Sequence, residues 1–457
     1  MRLSKTSRGT QSLPLRLLFV VALCLVSLRG TAQVSAVPTY SRDVAPLLAK
    51  RCVQCHDGNK ASSAPFTLTS YSDAARRSQQ IAQVTQTRFM PPWRLDNPTG
   101  FRTVCRLSAS EIETLKRWSE TGMKRGTPLA VSVPAPAKSV TSTLGKPDLV
   151  LKMAAAYSVS ASTTDTLALN RTFVLPTGLK KDVWLRAIVF VPSNPRLTRS
   201  ASMFADTGGR GKKLQSQSGA VGYTAFRGGL DYEKSERLGV WSPGMSPLDF
   251  PFGTAKRLSA GADLILLLRF VPTGKNERER GEIHLFFSKT APRTPENIVT
   301  IGYPEVFLAS DQAAILTDSV TLPVATKLYA LTPHLHTNAT TVRVEATFPD
   351  GKTKDLLRIS DWDILWRHCY RFMVPLVLPA KTRIRIDYTF DNTRENPRNN
   401  LGKRHAVTPG RGTMEEMGTL WLDLSALDPK DALTLSNFAK TPLHSPKIAI
   451  GEVQSKD

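Results

Sequence analysis

Cys52-Val53-Gln54-Cys55-His56 is the stretch from which the organisation of the N-terminal part of this 457-residue chain can be worked out. In the pattern C-x-x-C-H, two thiols add across the two vinyl groups of a haem, and the adjoining imidazole lies beneath the iron. Residues 40–50 are predicted to form a short helix that carries the cysteines to the haem. The alternative, half of a zinc site, needs a second ligand pair nearby, and Cys105 is the only cysteine in the fifty residues after the motif. The motif therefore predicts haem c bound through Cys52 and Cys55, with His56 as proximal iron ligand.

A soft side chain after this motif is expected to fill the second axial position of the haem iron. Met90, in Arg88-Phe89-Met90-Pro91-Pro92-Trp93, is the predicted distal ligand, because the prolines can hold a methionine rigidly against the open haem face. Met123 is the competing candidate, and a core methionine with an open sixth position is the other alternative. Ligation by Met and His raises the reduction potential and favours electron transfer over oxygen chemistry at the iron.

Residues 1–36 have the features of a secretory signal peptide. Basic residues precede an apolar run, 17–28, that is too short to span a bilayer, and small-residue cleavage sites follow at 30–32 and 34–36. Cys24 is assigned to the apolar run, because Leu23 before it is too large for a lipobox. We therefore expect export across the inner membrane to the periplasm. No later run approaches membrane-spanning length, so no membrane span is predicted.

The chain is strongly basic, with a formal net charge of +23. Five of these charges lie in the predicted signal peptide, which leaves +18 (23 − 5). This balance favours a periplasmic electron donor of acidic character or an anionic surface as partner, although a generally basic set of secreted proteins explains it equally well. Nothing resembles a nucleic-acid-binding module. Cys105 and Cys369 either form a disulfide or remain isolated buried thiols.

Changes in composition divide the rest of the chain. The haem unit is assigned to residues 37–128, with further helices predicted at 71–86 and from Ser108, where Ser108-Ala109-Ser110-Glu111 is typical of a capping box. A stretch rich in Pro, Ala, Ser and Val, residues 129–146, is predicted to be a linker.

From residue 147 the sequence becomes typical of β-structure. Runs that alternate or carry β-branched residues are separated by turn signals such as Pro349-Asp350-Gly351. The runs are 183–191, 263–271, 282–287, 341–348 and 383–390. The predicted fold is therefore multidomain: a small all-α cytochrome c domain is followed by two tandem all-β antiparallel sandwiches, jelly-roll-like, at 147–295 and 296–440, and by a tail, 441–457.

His334-Leu335-His336 follows an apolar stretch and is a candidate metal site. In a strand, residues i and i+2 point to one face, so the two imidazoles project together. A thioether such as Met417, after Glu415-Glu416, would complete an N₂S ligand set suited to copper. The alternative is a pair of histidines on a solvated strand face.

The haem segment resembles the cytochrome c domain of bacterial secreted proteins in which it is fused to a copper type II, ascorbate-dependent monooxygenase module. The remainder resembles that module, whose animal relatives are peptidylglycine α-hydroxylating monooxygenase and dopamine β-monooxygenase. The resemblance covers nearly the whole chain after the signal peptide and is faint only in the middle. The motifs that carry it are the haem motif, Met90-Pro91-Pro92-Trp93, Pro333-His334-Leu335-His336, Phe348-Pro349-Asp350-Gly351, Asp391-Asn392-Thr393 and residues 413–417.

The resemblance implies two sandwich domains with one copper each. The copper that binds oxygen and substrate uses an H-x-H pair and a methionine, and His334, His336 and Met417 occupy those places. The electron-supplying copper uses three histidines, but Arg199 and Ser200 stand in place of the pair and Arg269 in place of the third. An arginine stays protonated and has no lone pair to give a metal. We therefore expect one copper ion beside the haem.

Two functions are compatible with these residues. In the first, the haem replaces the missing copper as electron donor, and a single copper activates oxygen to hydroxylate a C–H bond of an unknown small-molecule substrate. In the second, the chain is a non-catalytic electron-transfer cytochrome on a degenerate monooxygenase scaffold. A haem peroxidase, a third possibility, needs an open axial position. Trp366 and Tyr370 are predicted to pack in the core of the second sandwich. His368, His405 and His444 are predicted to be surface or core histidines without a metal.

Overall fold

The computed structural model of the chain describes residues 37–58, 64–97, 99–102, 106–127, 144–164, 169–224, 235–245, 248–250, 253–399, 406–407 and 416–441. The predicted signal peptide, most of the predicted linker and nearly all of the predicted tail lie outside these residues, as do Cys105, His405, Glu415 and His444. Within the described ranges, no helix is both long enough and apolar enough to cross a membrane.

Short helices with an apolar core of their own make up the part of the chain that carries the C-x-x-C-H motif. Val44, Leu48, Leu115 and Trp118 are at most 1% exposed in this core. The helices are a π-helical turn, Tyr40–Val44, and the α-helices Ala45–Arg51, Tyr71–Arg76, Ser78–Gln86 and Ala109–Glu120.

Local sequence signals fix the ends of these helices. Ser108 Oγ accepts the N–H of Glu111, and the Glu111 carboxylate accepts the N–H of Ser108, so the predicted capping box is present. The single helix expected over 71–86 is instead two helices. The chain leaves helical geometry at Arg77, whose guanidinium lies 3.9 Å over the ring of Phe66. This contact depends on tertiary packing, which a helical sequence pattern does not report.

The rest of the described chain is mostly β-structure, and every named strand pairing is antiparallel. In chain order the strands are β1 (Leu149–Lys152), β2 (Tyr157–Val159), β3 (Asn170–Pro176), β4 (Val183–Val191), β5 (Thr198–Asp206), β6 (Ser235–Trp241), β7 (Leu248–Asp249), β8 (Lys256–Leu258), β9 (Asp263–Phe270), β10 (Glu277–Glu279), β11 (Glu282–Phe287), β12 (Asn297–Val306), β13 (Ala313–Thr321), β14 (Thr326–Leu335), β15 (Ala339–Thr347), β16 (Thr353–Ile359), β17 (Tyr370–Leu378), β18 (Arg383–Asp391) and β19 (Glu416–Ala426). Further helices are Arg210–Ser218 and Ala432–Ala439, with 3₁₀ turns at Ile364–Trp366 and Pro429–Asp431.

These strands form two sandwich-like pairs of sheets. In the first pair, the sheet β1-β11-β4-β7, with β8 on β4, shares a core with the sheet β3-β9-β5-β6, and β2 pairs with β10. In the second, β12-β19-β14-β17 shares a core with β13-β18-β15-β16. The prediction of antiparallel β-sheets is confirmed, whereas the jelly-roll form and the all-α cytochrome c domain remain predictions.

Strand β19 is covered on both of its faces. All eleven of its residues are buried. Leu420, Leu422 and Leu424 point into the core of the second sandwich. The residues between them point the other way, where Trp421 lies under the guanidinium of Arg237 and Asp423 bonds to Lys256 of the first sandwich. The outer face of this sheet is therefore the contact surface between the two sandwiches.

A buried charge cluster lies in that contact. Lys256 Nζ lies 3.2 Å from Asp423 Oδ1 and 3.6 Å from Glu296 Oε1, and each of these side chains is at most 8% exposed. Burial raises the pKa of the Glu296 carboxyl, while Lys256 lowers it. Lys256 of the first sandwich thus forms ion pairs with two carboxylates of the second sandwich.

We expect Lys256→Met to lower the free energy of unfolding by about 3–5 kcal/mol, because removal of one partner leaves uncompensated buried charge. Thermal and urea unfolding of the full chain measure the change. Lys352→Met is the matched control, since its ion pair with Asp350 is largely exposed and is worth about 0–1 kcal/mol. Equal effects of the two substitutions would contradict the role of Lys256.

The segment that follows Met90 leaves the helical region and packs on the second sandwich. Leu95 and Phe101 belong to the core of that sandwich. The Arg102 N–H donates to the carbonyl of Arg371 at 2.7 Å, and Phe101 stacks on Phe372 with ring centroids 4.6 Å apart. The loop between two helices of the helical region therefore packs directly on the second sandwich, although the chain continues from the helical region into the first sandwich.

Candidate metal centres

The C-x-x-C-H motif forms a tight turn at the end of helix Ala45–Arg51. The N–H groups of Cys55 and His56 both donate to the carbonyl of Cys52, at 3.1 and 3.0 Å. His56 Nδ1 lies 2.9 Å from the carbonyl oxygen of Phe66. A carbonyl can only accept, so Nδ1 carries the proton and Nε2 keeps its lone pair. Burial lowers the pKa of His56, which favours the neutral imidazole. These residues fit a haem whose iron binds Nε2 of His56.

The two candidate distal methionines have different surroundings. Met123 packs against the core of the helical region, and its Sδ accepts the hydroxyl of Ser78 at 2.9 Å. Met90 is partly buried in the turn after helix Ser78–Gln86, and its N–H donates to the carbonyl of Val84. Because the thioether of Met123 already accepts a hydrogen bond and packs on the core, Met90 stays the preferred prediction for the distal haem ligand.

The two histidines of the H-x-H motif lie at the end of β14 with their rings side by side. The ring centroids of His334 and His336 are 5.6 Å apart. His334 pairs with Thr419 and Leu335 with Gly418 of β19, and a continuation of this antiparallel register past the end of β14 would set His336 opposite Met417. Directly paired residues project to the same face of a sheet. The strand pairing therefore brings the three predicted copper ligands to one face, where His336 and Met417 are each 2% exposed.

Glu416 joins the two strand ends that carry these side chains. Its carboxylate accepts the N–H of His336 at 2.8 Å, that of Asn338 at 3.0 Å and that of Met417 at 3.1 Å. Burial raises the pKa of Glu416 to about 8, although these N–H donors act in the opposite direction. Such a carboxylate orients the peptide units on which candidate ligands are mounted.

Arg367 contacts the third candidate ligand, His334. Its Nη1 lies 2.9 Å from His334 Nε2. A guanidinium has only donors, so Nε2 accepts and the proton of the neutral ring is on Nδ1. The ring centroids of Trp421 and His334 are 4.9 Å apart. The positively charged guanidinium of Arg367 therefore occupies the position at the Nε2 lone pair of His334 that a metal ion would take. Two imidazoles and a thioether are a ligand set that suits copper.

The place of the predicted lost copper site holds two partly buried arginines. Ser200 of β5 pairs with Arg269 of β9, and Arg199 lies beside Ser200 with its guanidinium 3.8 Å over the ring of Trp366. Burial lowers the pKa of Arg199 to about 10, so it stays protonated at neutral pH. Within the described residues, no three His, Cys, Asp or Glu side chains are grouped as a metal site. The candidate copper set has two histidines and a thioether.

The short segment from Trp366 to Tyr370 lies between the haem motif and the histidine pair. His368 Nδ1 is 3.2 Å from the hydroxyl of Ser242, and its ring lies 5.5 Å from that of Trp93. Two residues beyond Ser242, a Cβ placed on Gly244 would lie only 3.0 Å from Cys55 Sγ. Through Arg367, the same segment contacts His334. Ser242, Gly244 and Arg367 carried no signal in the sequence, because each acts through a contact with a distant part of the chain.

Structural roles of the remaining predicted residues can also be assigned. Tyr370 is in the core of the second sandwich, whereas Trp366 lies outside that core, beneath Arg199. His368 is buried, and burial lowers its pKa to about 4, so it is neutral. Cys369 has a free thiol near Asp423, and burial raises its pKa to about 11.

Comparisons with known proteins add no functional information. No protein-family model and no curated protein matches the chain. Weak structural similarity is found to the VP2 subviral particle of infectious bursal disease virus, with 11% identity over 64% of this chain and 78% of that chain and a TM-score of 0.18. A two-domain protein of unknown function from Bacteroides fragilis is 10% identical over 56% of this chain and 84% of its own, with a TM-score of 0.13. Scores this low support no inference about fold or function.

Proposed function

We propose that this chain is a periplasmic haem c-containing, copper monooxygenase-like oxidoreductase of the type its sequence resembles. Cys52 and Cys55 would hold the haem, with His56 and Met90 as axial ligands, and His334, His336 and Met417 would hold a single copper. When both groups are bound, the haem supplies electrons and the copper supplies oxygen activation for hydroxylation of a substrate C–H bond.

The observation that carries this proposal is the position of the segment Trp366–Tyr370. It reaches Ser242, on the turn that lies against Cys55, and it reaches His334 through Arg367. A haem-fed copper needs the two groups to be close, and this arrangement supports their proximity without a large domain movement. Trp93, which lies shortly after Met90, packs on the same segment.

The chain's own residues have distinct tasks in this proposal. The carbonyl of Phe66 holds the proton of His56 on Nδ1 and so directs Nε2 to the iron. Glu416 fixes the backbones of His336 and Met417 relative to each other. Burial of His336 and Met417 keeps bulk water from two of the three ligand positions. These contacts orient donor atoms before any metal binds.

A second function, a non-catalytic electron-transfer cytochrome on a degenerate scaffold, is favoured by one specific observation. Arginines occupy the places of two lost copper ligands, and a third arginine contacts His334. In that case the sandwiches would serve as a support for the haem domain, and oxygen would not react through the histidine pair.

The reaction of the reduced protein with oxygen distinguishes the two functions. Haem-loaded protein is reduced, freed of reductant and mixed with oxygenated buffer, once after copper loading and once after treatment with a chelator. We expect the ferrous haem band to disappear faster when copper is bound. Identical rates in the two samples would contradict the oxygenase proposal and leave the electron carrier.

A further inference from the structure

We propose that Arg367 competes with copper for His334 and thereby sets the copper affinity of the site, an inference that rests on the proposed function. The contact between Arg367 Nη1 and His334 Nε2, at 2.9 Å, engages the lone pair that a metal would use. One lone pair cannot serve an N–H donor and a metal ion at the same time. Copper therefore binds Nε2 only when the guanidinium withdraws.

Copper cannot avoid this competition by binding Nδ1, the second nitrogen of the His334 ring. While Nε2 accepts from Arg367, the proton of the neutral ring is on Nδ1, which then has no lone pair. If the proton moved to Nε2, two donors would face each other, and Arg367 would lose this acceptor. Arg367 thus opposes copper at either nitrogen of His334.

Packing on both sides keeps Arg367 in this position. The residue before it, Trp366, is 7% exposed and is covered by Arg199. The residue after it, His368, is 4% exposed and bonds to Ser242. Because both neighbouring side chains are held by these contacts, the backbone at Arg367 is fixed, and its guanidinium lies beside His334. Its withdrawal then requires a side-chain rotation rather than a rearrangement of the loop.

Copper affinity measured by competition with a chromogenic chelator tests the proposal on the haem-loaded protein, with Cu(I) alone as the probe. Arg367→Met removes the donors and keeps an apolar stem. A hydrogen bond that involves a charged group changes an equilibrium by about ten- to a hundredfold, so we expect copper affinity to rise by that factor. Arg199→Met is the matched control, because it removes a neighbouring positive charge that stacks on Trp366. Its effect is expected to be smaller.

Each outcome either supports or overturns the competition. Unchanged or weaker copper binding by Arg367→Met, or an equal gain in Arg199→Met, would overturn it. If Arg367→Met does not fold, Arg367→Leu, which also lacks any donor, replaces it, and affinity no higher than that of the wild type would likewise overturn the competition. Copper binding by Arg367→Met but not by the wild type would support the competition and refute the proposed single-copper function. Absence of binding in all variants would refute both.

Discussion

Replacement of Cys52 and Cys55 by alanine is expected to abolish covalent attachment of haem. The two thioether bonds are the only covalent link in this type of haem site, and His56 alone would bind haem reversibly. After expression with the haem maturation system, denaturing mass spectrometry should give the mass of the bare polypeptide. The wild-type chain should retain the mass of one haem.

Cys369→Ala is the matched control for this prediction, since its thiol lies near Asp423 and is not part of the C-x-x-C-H motif. It should retain the haem fully. Met90→Ala provides a contrast within the site: haem stays attached, but the low-spin spectrum of Met/His ligation changes to that of an open axial position. Covalent haem in the double cysteine variant would contradict the assignment of the motif. An unchanged spectrum in Met90→Ala would remove Met90 as distal ligand.

Replacement of His334 and His336 by alanine is expected to eliminate specific copper binding. A change in the groups that merely orient ligands lowers metal affinity about 10–100-fold, and loss of two ligands should exceed that. Equilibrium competition for copper measures the loss, and the electron paramagnetic resonance spectrum of Cu(II) reports whether nitrogen ligands remain. The covalent haem should be unaffected, because the two sites use different residues.

His284→Ala is the matched control, since this histidine lies on β11 of the first sandwich beside Glu282 and outside the candidate site. It should bind copper as the wild type does. Met417→Leu should weaken Cu(I) more than Cu(II), because a thioether ligand prefers Cu(I). Copper bound equally well without His334 and His336 would show that the metal occupies another place on the chain.

Local patterns in the sequence were enough to predict much of the β-structure. The run 183–191 is β4 without a change of boundaries, and β18 alternates between buried and exposed or partly exposed residues as expected of a half-buried strand. Strand β19 was not identified from its pattern, because both of its faces are buried and it has no alternation. Its second face is buried by the first sandwich, through the contacts of Trp421 with Arg237 and of Asp423 with Lys256.

The position of the H-x-H pair at the end of a strand was predictable from the sequence, whereas its surroundings were not. An H-x-H on a strand places two imidazoles on one face whatever the rest of the fold does. The contact of Arg367 with His334 joins residues 33 positions apart, and the approach of Gly244 to Cys55 joins residues on different domains. No periodicity, spacing or capping rule encodes such contacts, since they depend on how whole sheets pack.

The metal content of the chain shows whether one polypeptide carries both a haem and a copper. Protein matured with haem, incubated with copper and freed of loosely bound metal is analysed by elemental mass spectrometry. We predict one iron and one copper per chain, with the copper lost when His334 and His336 are replaced by alanine. One iron without specific copper would contradict the proposed function and leave a cytochrome on a β-sheet scaffold.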